Sequence, residues 1–189
     1  RANAFLEFCL EFYLLPSAID DSGSEFSSAG DSPVCLDLGC GSGRDTVYMA
    51  QRMRPGTRVI GVDNHSYALE RGKGPFTSSG GRKCEWMCVD LRKTGSLHGI
   101  RASAIHGHRF KCEQLLPILR DEVLLPGGYF IWSTFLDTGT ENLVPPWRPS
   151  RMMRPGELAD IFSGDEFEIL VDEAGELPTR GSVVPAQFF

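Results

Sequence analysis

The residues best suited to chemistry lie in Asp37-Leu38-Gly39-Cys40-Gly41-Ser42-Gly43, Asp63-Asn64, Cys88-Val89-Asp90-Leu91 and His106-Gly107-His108-Arg109. Glycines at alternate positions let a backbone turn tightly and come close to a bound molecule, and a helix opening after them offers free N–H groups. Asp63 stands about 20 residues beyond the last glycine, the separation from which a carboxylate reaches ribose hydroxyls. Together these features specify a nucleoside-like ligand. The glycine spacing is G-x-G-x-G, not the G-x-G-x-x-G of dinucleotide sites, and Asp37 stands where an anionic pyrophosphate would be repelled. A ligand carrying an ammonium and a sulfonium suits that acid better. The plainer alternatives are a tight strand-to-helix turn for the glycines, a solvated strand end for Asp63 and a turn residue for Asp90.

His106 and His108 are candidates for catalysis, since an imidazole takes a proton from a hydroxyl, thiol or amine near neutral pH. With Cys112 close behind they would also suit a metal, but no fourth ligand is in sight, and strand-end packing is the other reading. Cys84 and Cys88 are spaced four apart, which is not a metal knuckle, so no metal is expected. Arg109 and Thr134 are placed on the substrate side. Trp147 and Arg148 lie between prolines in residues 137–153, a segment composed like a lid over an acceptor pocket or an ordinary surface crossover. There Trp147 would line an apolar pocket and Arg148 would hold an anion.

These groups need a frame, and the hydropathy pattern supplies one. Residues 5–15 read as a largely buried helix stopped before Pro16. Residues 17–32, rich in Ser, Asp and Gly, read as a flexible linker, leaving 1–16 as a helix packed on a domain of residues 33–189. Strands are predicted at 34–37, 58–63, 84–89, 102–105 and 129–135. Helices are predicted at 44–53, 67–71 and 115–123, and a last helix opens at Arg154-Pro155-Gly156-Glu157. Candidate closing strands are 167–172 and 182–189. Alternating strands and helices require right-handed crossovers and a mainly parallel, doubly wound α/β sheet covered on both faces. The ligand then sits beyond the carboxyl ends of the strands.

Composition narrows the partners. The chain has 189 residues, enough for one domain with a full core. A formal net charge of -6 gives no broad electrostatic reason to hold a phosphate backbone, so nucleic acid is disfavoured as a substrate. No apolar run reaches the roughly 18 to 20 residues of a membrane span, and the opening residues lack a signal-peptide pattern. The first residue is Arg rather than Met, which leaves room for a missing targeting segment. The 6 cysteines sit in apolar segments and suit free thiols in a reducing, cytoplasmic setting. Nothing in the sequence sets the oligomeric state.

The segment Val34 to Gly43 resembles the first motif of the class I S-adenosylmethionine-dependent methyltransferases. The resemblance is sharp from Val34 to Asp90. It implies a Rossmann-like sheet of about seven strands, mostly parallel with an antiparallel last strand, and S-adenosyl-L-methionine (SAM) as cofactor. Asp37 and the backbone of Gly39, Cys40, Gly41 and Gly43 would hold the methionine part, Asp63 the ribose hydroxyls and Asn64 the adenine edge. Asp90 would accept from the adenine amino group, and the Leu91 backbone would serve a ring nitrogen. Gly43-Arg44-Asp45, Thr134-Phe135-Leu136 and Arg154 to Leu158 look like a bacterial subgroup related to tellurite-resistance methyltransferases. No Asn-Pro-Pro-Tyr motif and no basic stripe is present, which points to methyl transfer onto a small molecule. A methyltransferase-like SAM-binding or scaffold protein without turnover is the alternative. A nicotinamide-dependent oxidoreductase is opposed by Asp37 and the glycine spacing.

Overall fold

The computed structural model describes residues 3–15, 32–76, 84–139, 152–178 and 183–189. The proposed linker and the Trp147–Arg148 lid therefore lie outside the described residues, apart from Ser32 and the two ends of the lid segment. The chain begins with α1 (Ala4–Cys9), which continues as a π-turn, Leu10–Leu14. Strands β1 (Val34–Leu38), β2 (Arg58–Asp63), β3 (Cys84–Cys88), β4 (Ala102–His108) and β5 (Leu124–Phe135) alternate with helices α2 (Arg44–Arg52), α3 (Ser66–Phe76) and α4 (Leu115–Ile118). A second π-turn, Leu119–Val123, leads from α4 into β5. After α5 (Glu157–Ile161) come β6 (Glu173–Pro178) and β7 (Val183–Phe188).

The sheet has seven strands in the order β3-β2-β1-β4-β5-β7-β6. β1 to β5 are parallel, and β7 runs antiparallel to both β5 and β6. The order reverses between β1 and β4, where a doubly wound sheet opens its crevice. One core layer packs Leu36, Leu38, Ile60, Val62, Ile105 and Trp132 against α4 and α5. The other packs Leu6, Leu10 and Met49 from α1 and α2 on Cys35, Val59, Ala104 and Ile131. Strand alternation sends even and odd positions to opposite layers.

Several expectations are corrected here. α1 buries Leu6, Cys9, Leu10 and Leu14, but Phe8 and Phe12 are 41% and 63% exposed, so only one face of the helix is covered. Residues 167–172 form no strand. The register of β7 pairs Val183 with Pro178 and Phe188 with Glu173, so its facing residues are used up by β6 and 167–172 have no ladder partner. Phe167 packs against Phe162 instead, at 5.5 Å between ring centroids. β4 runs on through His106 and His108 rather than ending at Ile105, because Asp37 of β1 and Ile131 and Ser133 of β5 continue to flank it. All six cysteines are free thiols.

Candidate functional site

The register of β1 on β2 pairs Leu38 with Val62, so the turn leaving β1 lies against the end of β2. There the N–H groups of Gly39 and Cys40 both donate to Val62 O, at 2.8 and 3.1 Å. Gly39, Gly41 and Gly43 have φ of 69°, 57° and 75°, left-handed values that side chains rarely tolerate. Gly43 also packs against Trp86 so closely that a Cβ would lie 2.0 Å from the ring, whereas a Cβ on Gly41 would meet nothing within 4 Å. The loop is thus pinned at Gly43 and open to an approaching molecule at Gly41. Behind it, the first turn of α2 carries N–H groups of Arg44, Asp45 and Thr46 that have no intrahelical acceptor.

Asp63 ends β2 half-buried. Its Oδ2 accepts from Gly41 N–H at 2.8 Å and its Oδ1 from His65 N–H at 2.8 Å. Each oxygen retains a lone pair. Val89 N–H donates to Asp63 O at 3.0 Å, which holds the ends of β2 and β3 side by side and brings Asp90 toward the same rim. Asp90 is gripped by Arg92 through two side-chain bonds of 2.8 Å, and this hydrogen-bonded guanidinium lowers its pKa to about 2. A ligand amino group would have to share that carboxylate. Asn64 is exposed beside Asp63, and the Leu91 side chain is buried in the core, leaving its backbone as the usable part.

Asp37 is 2% exposed, and both its oxygens are engaged. Oδ1 accepts from His106 Nδ1–H at 2.9 Å and Oδ2 from the Thr46 hydroxyl at 2.5 Å. It therefore forms a charged floor under the loop. His106 is 1% exposed, and its Nε2 has no partner among the described residues. The expected acid or base at this position is thus sealed behind Asp37, because β4 continues past it. His108 lies two residues on and on the same face, where it lines a cleft of about 200 Å3 with Asp37, Gly39, Cys40, Ser42, Arg44 and Asp45. The Cys40 thiol turns down toward Gly61, and burial pushes its pKa up.

The substrate-side expectations fare unevenly. Thr134 is fully buried in β5, paired with Gln187 of β7, and its hydroxyl finds no partner among the described residues, so it does not face a substrate. Arg109 has φ of 55°, the only positive φ among the described residues that are not glycine. That turn carries its guanidinium away from the cleft, onto Pro178 O and over Phe135 at 5.7 Å. Trp147 and Arg148 are outside the described residues.

Three residues, Asn3, Ser133 and Lys111, escape a reading by motif, and a fourth, Asp45, enters only through a family likeness that gives it no role. Asn3, 7% exposed, reaches His108 and Ser133. Ser133 Oγ lies 2.8 Å from His108 Nδ1, and Asp45 is held below the usual carboxylate range by Arg44 and by the Asn3 N–H despite its burial. Lys111, just past β4, is bonded to Met152 O at 2.7 Å and Glu157 Oε2 at 3.0 Å, a buried pair tying β4 to α5. Apart from Asp45, only Asn3 carried a signal, an N-cap residue directly before an apolar helical run. Among the described residues no group of His, Cys, Asp and Glu gathers into a metal site.

The sequence profile of the methyltransferase-domain family matches residues 35–121, just under half of the chain. No curated protein matches. Among solved structures, a SAM-dependent methyltransferase from Aquifex aeolicus is 16% identical, with a TM-score of 0.53 over 84% of this chain and 81% of its own. TrmN from Thermus thermophilus is 19% identical with a TM-score of 0.54, over 85% of this chain and 44% of its own. The [4+2]-cyclase SpnF is 20% identical with a TM-score of 0.56, over 77% of this chain and 54% of its own. The chain thus spans about half the length of the last two. The class is therefore defined at the level of the fold: residues 35–121 match the methyltransferase-domain profile, and the chain has the Rossmann-like fold of these structures.

Proposed function

We propose that the domain of residues 33–189 binds SAM at the ends of β1, β2 and β3 and transfers its methyl group to a small-molecule acceptor beside the end of β4. The observation that carries this is the contact between the loop and Asp63. Three left-handed glycines present backbone open at Gly41, and a half-buried carboxylate with spare lone pairs stands against that same residue. The residues fit the cofactor. Asp63 suits ribose hydroxyls, Asn64, Asp90 and the Leu91 backbone suit the adenine edge, and the first turn of α2 with Arg44 suits a carboxylate. Asp37 serves as a buried negative floor for the cationic part through the loop, since its oxygens are already bonded. When bound, SAM supplies an electrophilic methyl group on a sulfonium. The protein aligns the acceptor and excludes water.

A small acceptor is supported by the net charge of -6, which offers no field for a nucleic acid. It is supported also by the likeness of Gly43 to Asp45, Thr134 to Leu136 and Arg154 to Leu158 to tellurite-resistance methyltransferases. No helix among the described residues is long and apolar enough to cross a membrane, and the free thiols fit a reducing cytoplasmic setting. The fold is shared with a cyclase, so a SAM-binding protein without methyl transfer is the competing reading.

Thermal unfolding with SAM, S-adenosylhomocysteine or NADH at equal excess tests the cofactor. At 100 times Kd a ligand adds about 2.7 kcal/mol, roughly 5 to 11 °C at this size. A shift with both sulfur nucleosides and none with NADH is expected. No shift with either rejects the proposal, and binding without turnover across an acceptor panel favours the competing reading.

A further inference from the structure

His106 and His108 lie on one face of β4, yet their surroundings ask for opposite tautomers. At His106 a carboxylate, which only accepts, faces Nδ1, so the proton sits on Nδ1. At His108 two groups meet Nδ1: the Ser133 hydroxyl at 2.8 Å, which suits either tautomer because it can donate or accept, and Asn3, which decides between them. Asn3 is the N-cap of α1, and its Oδ1 accepts from Phe5 N–H at 3.0 Å. That cap fixes the amide, because a flip would set an NH2 against the Phe5 N–H. Nδ2 consequently points the other way, 2.9 Å from His108 Nδ1 and 2.8 Å from Ser133 Oγ. An N–H donor meets a ring nitrogen only where that nitrogen keeps its lone pair. Asn3 N–H also donates to Asp45 Oδ1 at 2.9 Å, so one buried residue joins α1 to α2, β4 and β5.

The charged neighbours agree with a neutral ring. Arg109 and His106 flank His108 on β4, Arg44 and Asp45 face it from α2, and Asn3 and Ser133 approach from α1 and β5. Burial comes first and the nearby Arg109 second in lowering its pKa to about 4, against the smaller opposing pull of Asp45.

We propose that Asn3 is a positioning residue that locks His108 as the neutral Nε2–H tautomer, so that the His108 ring presents a hydrogen-bond donor and no proton acceptor to the cleft. This rests on the cleft being the methyl-transfer site. It names the acceptor class: a nucleophile that arrives with its own lone pair, such as an uncharged amine or an already ionised thiol, rather than a hydroxyl that must lose a proton on the enzyme. For an amine, the nitrogen lone pair forms the new bond to the methyl carbon as the carbon–sulfur bond breaks and its electron pair stays on sulfur. The positive charge passes to nitrogen, and the proton leaves later to water.

Nitrogen-resolved NMR of the histidine rings in the full chain, from pH 8 to pH 4, reads the tautomer directly, with His108→Gln identifying the His108 signals. The expected result is Nδ1 unprotonated and Nε2 protonated down to about pH 5. Asn3→Asp places a carboxylate at Nδ1 and is expected to move the proton there and raise the midpoint by more than one pH unit. Asn3→Ser keeps a helix cap while removing the amide donor, and is expected to mix the tautomers without unfolding the chain. A protonated Nδ1 in the unaltered protein, or a tautomer and midpoint indifferent to both substitutions, overturns the inference. S-adenosylhomocysteine-induced thermal shifts on the same samples report separately on the cofactor reading, so each can fail alone.

Discussion

At the ends of β1 and β2 the site is made of neighbours in sequence: the turn Gly39 to Gly43, the α2 turn behind it, and Asp63 at the next strand end. At the ends of β4 and β5 it is made of strangers, with Asn3, Asp45, His108 and Ser133 brought together from four elements. The first arrangement is held by backbone conformation, since left-handed φ and loop N–H groups bonded to Val62 O and Asp63 need little from side chains elsewhere. The second is held by buried side-chain hydrogen bonds, each depending on the packing of α1 and β5. The comparison teaches that the cofactor end tolerates change in the rest of the molecule, whereas the acceptor end does not.

Breaking the long-range ties has the largest expected effect. Glu157→Ala removes the buried one of the two carboxylates on the Lys111 ammonium, leaving the exposed Glu113 at 3.1 Å, and should destabilise the fold by at most about 3 to 5 kcal/mol. Chemical denaturation measures it, and a loss below about 1 kcal/mol would show that water replaces the carboxylate. Gly43→Ala, the corresponding blow to the cofactor end, adds left-handed strain of roughly 1 to 2 kcal/mol to a clash with Trp86 of roughly 1 to 3. Gly41→Ala should suffer only the strain, while losing cofactor affinity; equal melting temperatures for the two variants would contradict the packing at Gly43.

His108 sharpens the contrast through pH. Its folded pKa of about 4 lies below the ordinary 6.5, so the unfolded chain binds the proton more readily, and stability is lost as pH falls from about 6.5 to 4. The loss amounts to about 3 kcal/mol at most. In His108→Gln that part of the acid dependence should vanish, which urea titrations at pH 7, 5.5 and 4 would reveal. Asp63→Ala should leave the fold intact and weaken SAM binding by on the order of 1 to 3 kcal/mol, read by calorimetry. Unchanged affinity would remove Asp63 from the ribose. Arg92→Ala is the mildest: it frees the half-buried carboxylate of Asp90 from an exposed guanidinium, with little change in melting temperature and a modest gain in cofactor affinity if Asp90 meets the adenine.

Much of the molecule was legible because it is local. Alternation of apolar runs gave the strands at 34, 58 and 84, and the glycine turn with Asp63 followed from spacing, since backbone geometry there is set by the residues themselves. The sequence also determined that a cationic nucleoside suits Asp37 better than a pyrophosphate does. Tertiary structure alone decided that β4 continues through both histidines, because Asp37 on one side and Ser133 on the other extend its ladder. It decided that Thr134 is sealed by β7, that Arg109 turns outward, and that 167–172 lack a partner strand while 173–178 have one. Above all it brought Asn3 to His108, more than a hundred residues away in sequence. A hydrogen bond of that range depends on how helix and sheet pack, and no periodicity or spacing in the chain encodes it.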